Sequence, residues 1–370
     1  MIGDILSCPH CGSSVQRTGE ELFCNAHGRI AKHRDGLVDF LYDTAEIRLA
    51  NAGVWDLAND QRVGIELLEM FANSSYSELK EHARRQMTDA EGFVDDQHAR
   101  LMKSRLAHRA QRRFDKRYRR VSEEVGSGHG EQMLHKIDTR VCDLNLTPVS
   151  KNLAVELAGG DGQYLPGFCR SFEHVVFVDG SLVNVVLARA LARDDGLTNA
   201  SFIRADILSL PVRSSVASMV HANNVIEHVS DPDVLASECA RIVTPDGYAV
   251  VVSPNRMSVF LEPHFRLPLY GFFPRAVRLF LIPITRGKSS EAGANPLSLG
   301  GLRRTLKSVP FDWDIFLVPR GLQSTARSTP LRRILAQALQ SPLGGAADWL
   351  LNRAFLPLAH CHTAIGRVRR

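Results

Sequence analysis

Between residues 153 and 252 the chain repeats one pattern: a short apolar run, a polar or glycine-rich end, then a helical stretch. The runs are Leu153–Leu157, Val175–Val178, Ser201–Ile203, Val216–His221 and Tyr248–Val252. Strands alternating with helices cannot form simple hairpins. They demand crossovers, a parallel sheet and helices on both faces. In such a sheet ligands bind in the crevice beyond the carboxyl ends of the strands. The residues at those ends are therefore the first candidates for a site.

The first run ends in Ala158-Gly159-Gly160-Asp161-Gly162, a turn that lets a ligand approach the backbone. The second ends in Asp179, about 20 residues further on, the distance at which an acid reaches ribose hydroxyls. The third leads to Asp206 and Ile207, and the fourth to Asn223 and then Glu227-His228. Asp231 caps the next helix with Pro232 at its first position, and that helix reaches Ile242-Val243. Thr244-Pro245-Asp246-Gly247 is expected to turn the chain into the fifth strand.

These motifs resemble the class I S-adenosylmethionine-dependent methyltransferase core of ubiquinone-biosynthesis-type enzymes. The likeness is carried by Glu156-Leu-Ala-Gly-Gly160-Asp-Gly162, Asp179, Arg204-Ala-Asp206-Ile-Leu-Ser-Leu-Pro211, Val225-Ile-Glu-His228-Val-Ser-Asp-Pro232, Arg241-Ile-Val-Thr-Pro-Asp-Gly247 and Ser253-Pro-Asn255. It implies a doubly wound α/β sheet of seven strands in the order 3-2-1-4-5-7-6. Trp313–Val318 and His362–Val368 would supply the last two strands. The resemblance also implies cofactor residues. Glu156, Ala158, Gly160 and Gly162 lie near the methionine part, Asp179 at the ribose, Asp206 and Ile207 at the adenine, and Asn223 at the methionyl end. Ala158 stands where the family usually has glycine, so a slightly altered turn is expected.

The N-terminus carries a second pattern. Cys8-Pro9-His10-Cys11-Gly12 is a Cys-x2-Cys knuckle, and Cys24-Asn25-Ala26-His27 repeats its spacing. Cys8, Cys11, Cys24 and His27 make the Cys3His set that structural Zn²⁺ takes. A module this small buries too little apolar surface to fold alone, and a metal would supply the missing free energy. His10 and His33 lie nearby, but only His27 sits in the second knuckle. The stretch from Cys8 to Leu41 resembles the zinc ribbon of the small activator proteins of tRNA methyltransferases. That family usually has a fourth cysteine at the place of His27.

The remaining four of the seven cysteines are scattered, which argues against a disulfide framework. The first residues lack a basic segment, so no signal peptide is expected, and no apolar stretch is long enough to span a membrane. A reducing cytoplasm is the expected compartment. With 370 residues, the chain has room for one large and one smaller domain. The expected division is a zinc ribbon over 1–42, a helical, basic linker over 43–126, and a methyltransferase domain over 131–370. Insertions covering the substrate are expected at 256–310 and 320–358.

Eight Lys and Arg residues lie between Lys103 and Arg119, although the net charge of the chain is only +5. This stretch fits an anionic partner such as RNA or a membrane surface, and equally a solvated helix packed by one face. Phe272–Ile284 is apolar but broken by Pro274, Arg275 and Arg278, which suits a substrate cover, a peripheral membrane contact or a core helix.

Methyl transfer from a sulfonium is an in-line displacement that mainly needs positioning. An oxygen or nitrogen acceptor must also lose a proton, and histidine suits that task near neutral pH. His228 and His264 are the catalytic candidates. His264 lies in a Pro-His-x-x-x-Pro segment resembling bacterial methyltransferases of cell-surface glycan and specialised-metabolite genes. Three functions stay open: methylation of a small-molecule, glycan or lipid-like acceptor; methylation of RNA gripped by the ribbon and basic stretch; and a non-catalytic scaffold. No Asn-Pro-Pro-Tyr-type tetrapeptide follows the fourth strand, and the intact acids Glu156, Asp179 and Asp206 argue against the scaffold. The sequence does not indicate an oligomeric state.

Overall fold

The computed structural model describes residues 5–34, 36–43, 46–48, 54–90, 131, 133–135, 137–138, 141, 150–259, 262, 264–265, 267–286, 293–316 and 361–368. The basic stretch 103–119 and the expected insertion at 320–358 lie outside them.

The chain opens with four short strands, β1 (Gln16–Thr18), β2 (Glu21–Cys24), β3 (Gly28–Arg34) and β4 (Leu37–Asp39), each antiparallel to the next. A two-stranded hairpin follows, β5 (Glu46–Arg48) and β6 (Val54–Asp56). Helices α1 (Leu57–Met70) and α2 (Tyr76–Ala90) come next. The Asp56 side chain starts α1 by accepting from the amides of Ala58 and Asn59. Then come β7 (Leu153–Leu157), α3 (Leu165–Ser171), β8 (His174–Asp179), α4 (Leu182–Asp194), β9 (Ala200–Arg204) and β10 (Ala217–Asn223). The rest is α5 (Pro232–Ile242), β11 (Val243–Pro254), α6 (Arg275–Arg286), α7 (Leu299–Lys307), β12 (Phe311–Phe316) and β13 (Cys361–Val368).

Among the described residues eleven strands form one sheet, in the order β1-β2-β3-β4-β9-β8-β7-β10-β11-β13-β12. From β4 to β11 neighbours run parallel, and β13 is antiparallel to both β11 and β12. All five residues of β7 are buried. Val155 and Leu157 face one apolar layer with Val176 and Val178, while Ala154 faces the other with Val175 and Phe177. This is the period of two expected of strands covered on both sides. Leu235 and Ile242 of α5 and Leu302 and Leu306 of α7 cover the first face. Helices α1 to α4 cover the second through Val63, Leu67, Leu79, Phe168 and Val186.

The structure differs from the sequence expectations in four places. The cysteine-bearing segment is joined to the large sheet: Leu37 and Asp39 of β4 pair with Phe202 and Arg204 of β9. The region from 43 onward contains the β5–β6 hairpin as well as helices, and α1 and α2 pack against the second face of the sheet. Thr244–Gly247 does not form a separate turn; β11 runs on from Val243, with an irregular register against Ala217 and Met219 that takes up the extra residues. Within 256–310, α7 is also part of the helix layer and not a cover.

Candidate functional site

A pocket opens at the carboxyl ends of β7, β8, β9 and β10, walled by Ala158, Gly160, Asp179, Asp206, Ile207 and His228 among others. All six are among the residues expected from the sequence. Glu156, Gly162 and Asn223 do not line it. Glu156 is buried under the turn, where a Cβ on Gly159 would stand 2.7 Å from its carboxyl carbon. Gly162 packs against Ala188 of α4, which a Cβ would approach to 3.1 Å. Asn223 turns its amide to the Tyr164 hydroxyl at 3.0 Å. The next residue, Asn224, lines the pocket instead, with φ +54 and its side-chain oxygen buried without a partner among the described residues.

Asp179 organises the turn. Its oxygens accept from the amides of Gly160 at 3.1 Å and Ser181 at 2.9 Å, and the Asn184 side chain donates to both. Burial outweighs these donors and pushes its pKa up to about 7. Burial likewise holds Glu156 well above the usual carboxylate range. Ala158 adopts φ +48, a left-handed conformation that favours glycine, and its amide donates to Val178 at 2.7 Å. Gly160 sits at φ +60 with open space where a Cβ would stand.

The β5–β6 hairpin contributes Ile47 and Trp55 to the pocket wall. Asp60 of α1 supports the floor. It accepts from the Ser181 hydroxyl at 2.5 Å and from the Leu182 amide at 2.6 Å, at the start of α4. Ile47 and Trp55 are not legible in the sequence, since a three-residue strand has no period to detect, and Asp60 reads there as an ordinary polar residue of a helix. The Trp55-Asp56 pair just before a helical pattern was the one available signal.

His228 and His264 come together although 36 positions separate them, with Nε2 to Nε2 at 3.0 Å. The Nδ1 of His228 donates to the Gly293 carbonyl at 2.6 Å, and that of His264 to Glu262 at 2.7 Å. Glu262 is buried and also accepts from the Phe265 amide at 2.7 Å. The fully buried Glu227 carboxylate lies 3.5 Å from His264 Nε2 and 3.8 Å from His228 Nε2.

The sulfurs of Cys8, Cys11 and Cys24 and a ring nitrogen of His27 lie within 4.8 Å of one another. Cys8 Sγ is 3.6 Å and Cys24 Sγ 3.7 Å from His27 Nδ1, and Cys11 Sγ is 3.6 Å from Cys24 Sγ. A tetrahedral ion with bonds of about 2.0–2.3 Å needs ligand separations of roughly 3.3–3.8 Å, so this donor set fits zinc.

Residues 155–251 match a family described as a methyltransferase domain. No protein of curated function matches the chain. Among solved structures it is similar to an S-adenosylmethionine-dependent methyltransferase from Mesorhizobium loti, with 17% identity over 61% of this chain and 94% of that one, at a TM-score of 0.41. It is similar to the YcgJ protein from Bacillus subtilis, with 16% identity over 64% and 99%, at a TM-score of 0.39. A complex of the Haloferax volcanii Trm112 methyltransferase activator with a methyltransferase shows 15% identity over 66% and 96%, at a TM-score of 0.39. The chain is an enzyme of the S-adenosylmethionine-dependent methyltransferase class. The cofactor fits the pocket: Gly160 leaves room for it, and Asp179 and the Asn224 oxygen offer acceptors for its hydroxyl and amino groups. Among the described residues no helix is long and apolar enough to cross a membrane.

Proposed function

We propose that this class I methyltransferase transfers a methyl group from S-adenosylmethionine to an oxygen or nitrogen of a small-molecule, glycan or lipid-like acceptor in the cytoplasm. The strand order β9-β8-β7-β10-β11-β13-β12 supports the class I assignment. The observation that carries the acceptor site is the meeting of His228 and His264 at the wall of the cofactor pocket. The cofactor supplies an activated methyl group on a sulfonium. Asp179 holds its ribose, Asp206 and Ile207 flank its adenine, and Asn224 takes the methionyl role the sequence had given to Asn223. His228 and His264 promote loss of the acceptor's proton. A structural zinc held by Cys8, Cys11, Cys24 and His27 belongs to the same proposal.

The test is methyl transfer from labelled cofactor into cell extract separated into metabolites, glycolipids and RNA. Label should enter the metabolite or glycolipid fraction and be lost with His264→Ala. Label confined to RNA, and lost when Arg112, Arg113 and Arg117 are replaced together by alanine, would overturn the acceptor assignment.

A further inference from the structure

We propose that Glu227, His228 and His264 bind a divalent transition-metal ion beside the cofactor pocket, and that this ion receives the acceptor's oxygen. The inference rests on the methyl-transfer reading and makes its acceptor site specific. Three donor atoms converge: the Nε2 atoms stand 3.0 Å apart, and Glu227 Oε1 lies 3.5 and 3.8 Å from them. These edges bracket the separation of about 3.3 Å that two ligands have around an ion with bonds of roughly 2.0–2.1 Å. A proton relay needs only a line of donors and acceptors, whereas here a fully buried carboxylate closes a triangle.

The surroundings fix the rings for that task. Gly293 offers His228 only a carbonyl, so Nδ1 carries the proton there and Nε2 turns its lone pair inward. His264 does the same through Glu262. Histidine ligands usually give their second nitrogen to a carbonyl or carboxylate in this way, which holds the ring in orientation. The polypeptide is tied around the triad as well. The Asn295 amide donates to the Glu227 carbonyl at 2.6 Å, so the segment 293–297 is fastened over the ligand pair.

Two imidazoles and one carboxylate leave positions open on the ion, and this donor set suits zinc, iron, cobalt or nickel better than magnesium. His228 lines the pocket, which places the ion beside the bound methyl donor. The fitting acceptor is a hydroxyl with a second oxygen in chelating reach, such as a catechol, a vicinal diol or an α-hydroxy acid. On coordination the hydroxyl loses its proton to solvent. The oxygen's electron pair then forms the bond to the methyl carbon as the carbon–sulfur bond breaks and its pair passes to sulfur. The products are the methyl ether and S-adenosylhomocysteine.

Two sites in one chain require a count. Wild type, His264→Ala, Glu227→Gln and Cys11→Ser/Cys24→Ser are each equilibrated with excess Zn²⁺, freed of unbound metal and measured by elemental analysis, with circular dichroism as the folding control. The expected result is one equivalent fewer in His264→Ala and Glu227→Gln than in wild type. Co²⁺ added to Cys11→Ser/Cys24→Ser should give visible d–d absorption without thiolate charge transfer. Equal zinc in wild type and both triad variants, or a colourless cysteine variant with Co²⁺, would overturn the proposal. Calorimetry with S-adenosylmethionine separates the two claims: metal binding with no cofactor binding would sink the methyl-transfer reading and leave the ion site standing.

Discussion

Arg204 Nη1 donates to Asp39 Oδ2 across 3.2 Å inside the protein, although 165 positions separate the two residues. Its other nitrogens reach the Gly180 carbonyl at 3.2 Å and the Asp60 carboxylate at 3.6 Å. One guanidinium with no exposed surface thus ties the cysteine-bearing strands and α1 to the strand end that carries Asp179. Arg204→Leu would leave two buried carboxylates without their cation, a loss of about 3–5 kcal/mol. Urea unfolding should show it; a change below about 1 kcal/mol would count against this account.

Asp179 links cofactor binding to pH. Its folded pKa of about 7 lies above the ordinary 3.8, so its contribution to stability is complete below pH 4 and is lost as pH rises towards 7. Ribose hydroxyls donate to the ionised carboxylate. Cofactor affinity should therefore rise with pH up to about 7, with a proton released on binding below that. Calorimetry at pH 6 in two buffers of different ionisation enthalpy reads the released proton. Asp179→Asn should abolish the effect, and Asp179→Ala should weaken binding on the order of ten- to a hundred-fold.

Ala158 holds a backbone shape that a Cβ disfavours by roughly 1–2 kcal/mol, part of which glycine returns through its looser unfolded chain. Ala158→Gly should gain up to about 1 kcal/mol in thermal unfolding and keep cofactor affinity. A loss of stability would show that the methyl group packs usefully against the core.

His221 stands between Tyr164 and Phe168, with ring centroids 4.9 and 5.0 Å away, and neither nitrogen has a partner among the described residues. Burial lowers its pKa to about 3. The unfolded chain takes a proton below about pH 6.5 that the folded chain refuses, so stability falls as pH drops from there. His221→Leu should raise stability by about 1–3 kcal/mol and flatten that acid limb. Unchanged acid unfolding would refute the assignment.

Cys11→Ser should lose zinc, and the melting of the whole chain should shift with it, because β4 is hydrogen-bonded to β9. Unaltered melting after complete zinc loss would separate the two parts.

The core strands were legible because β7, β8 and β10 are buried runs that lead to Gly160, Asp179 and Asn223, and local pattern records both facts. The metal-type spacing of Cys8, Cys11, Cys24 and His27 was legible for the same reason. What escaped depends on distance along the chain. Nothing near Asp39 announces Arg204, and nothing near His228 announces His264, although each histidine could be named alone. Asn223 and Asn224 differ by one position, and only the left-handed backbone at Asn224 decides which faces the pocket.

The antiparallel strands at the front of the chain also govern how molecules meet. Without β4, the backbone of β9 would present open amides and carbonyls to any neighbouring chain, a template for aggregation. Instead the sheet border is displaced to β1, three solvent-exposed residues reading Gln16-Arg17-Thr18. So short and hydrophilic a margin offers little to a second strand. The N-terminal strands thereby leave β9 no open edge with which a second chain could pair.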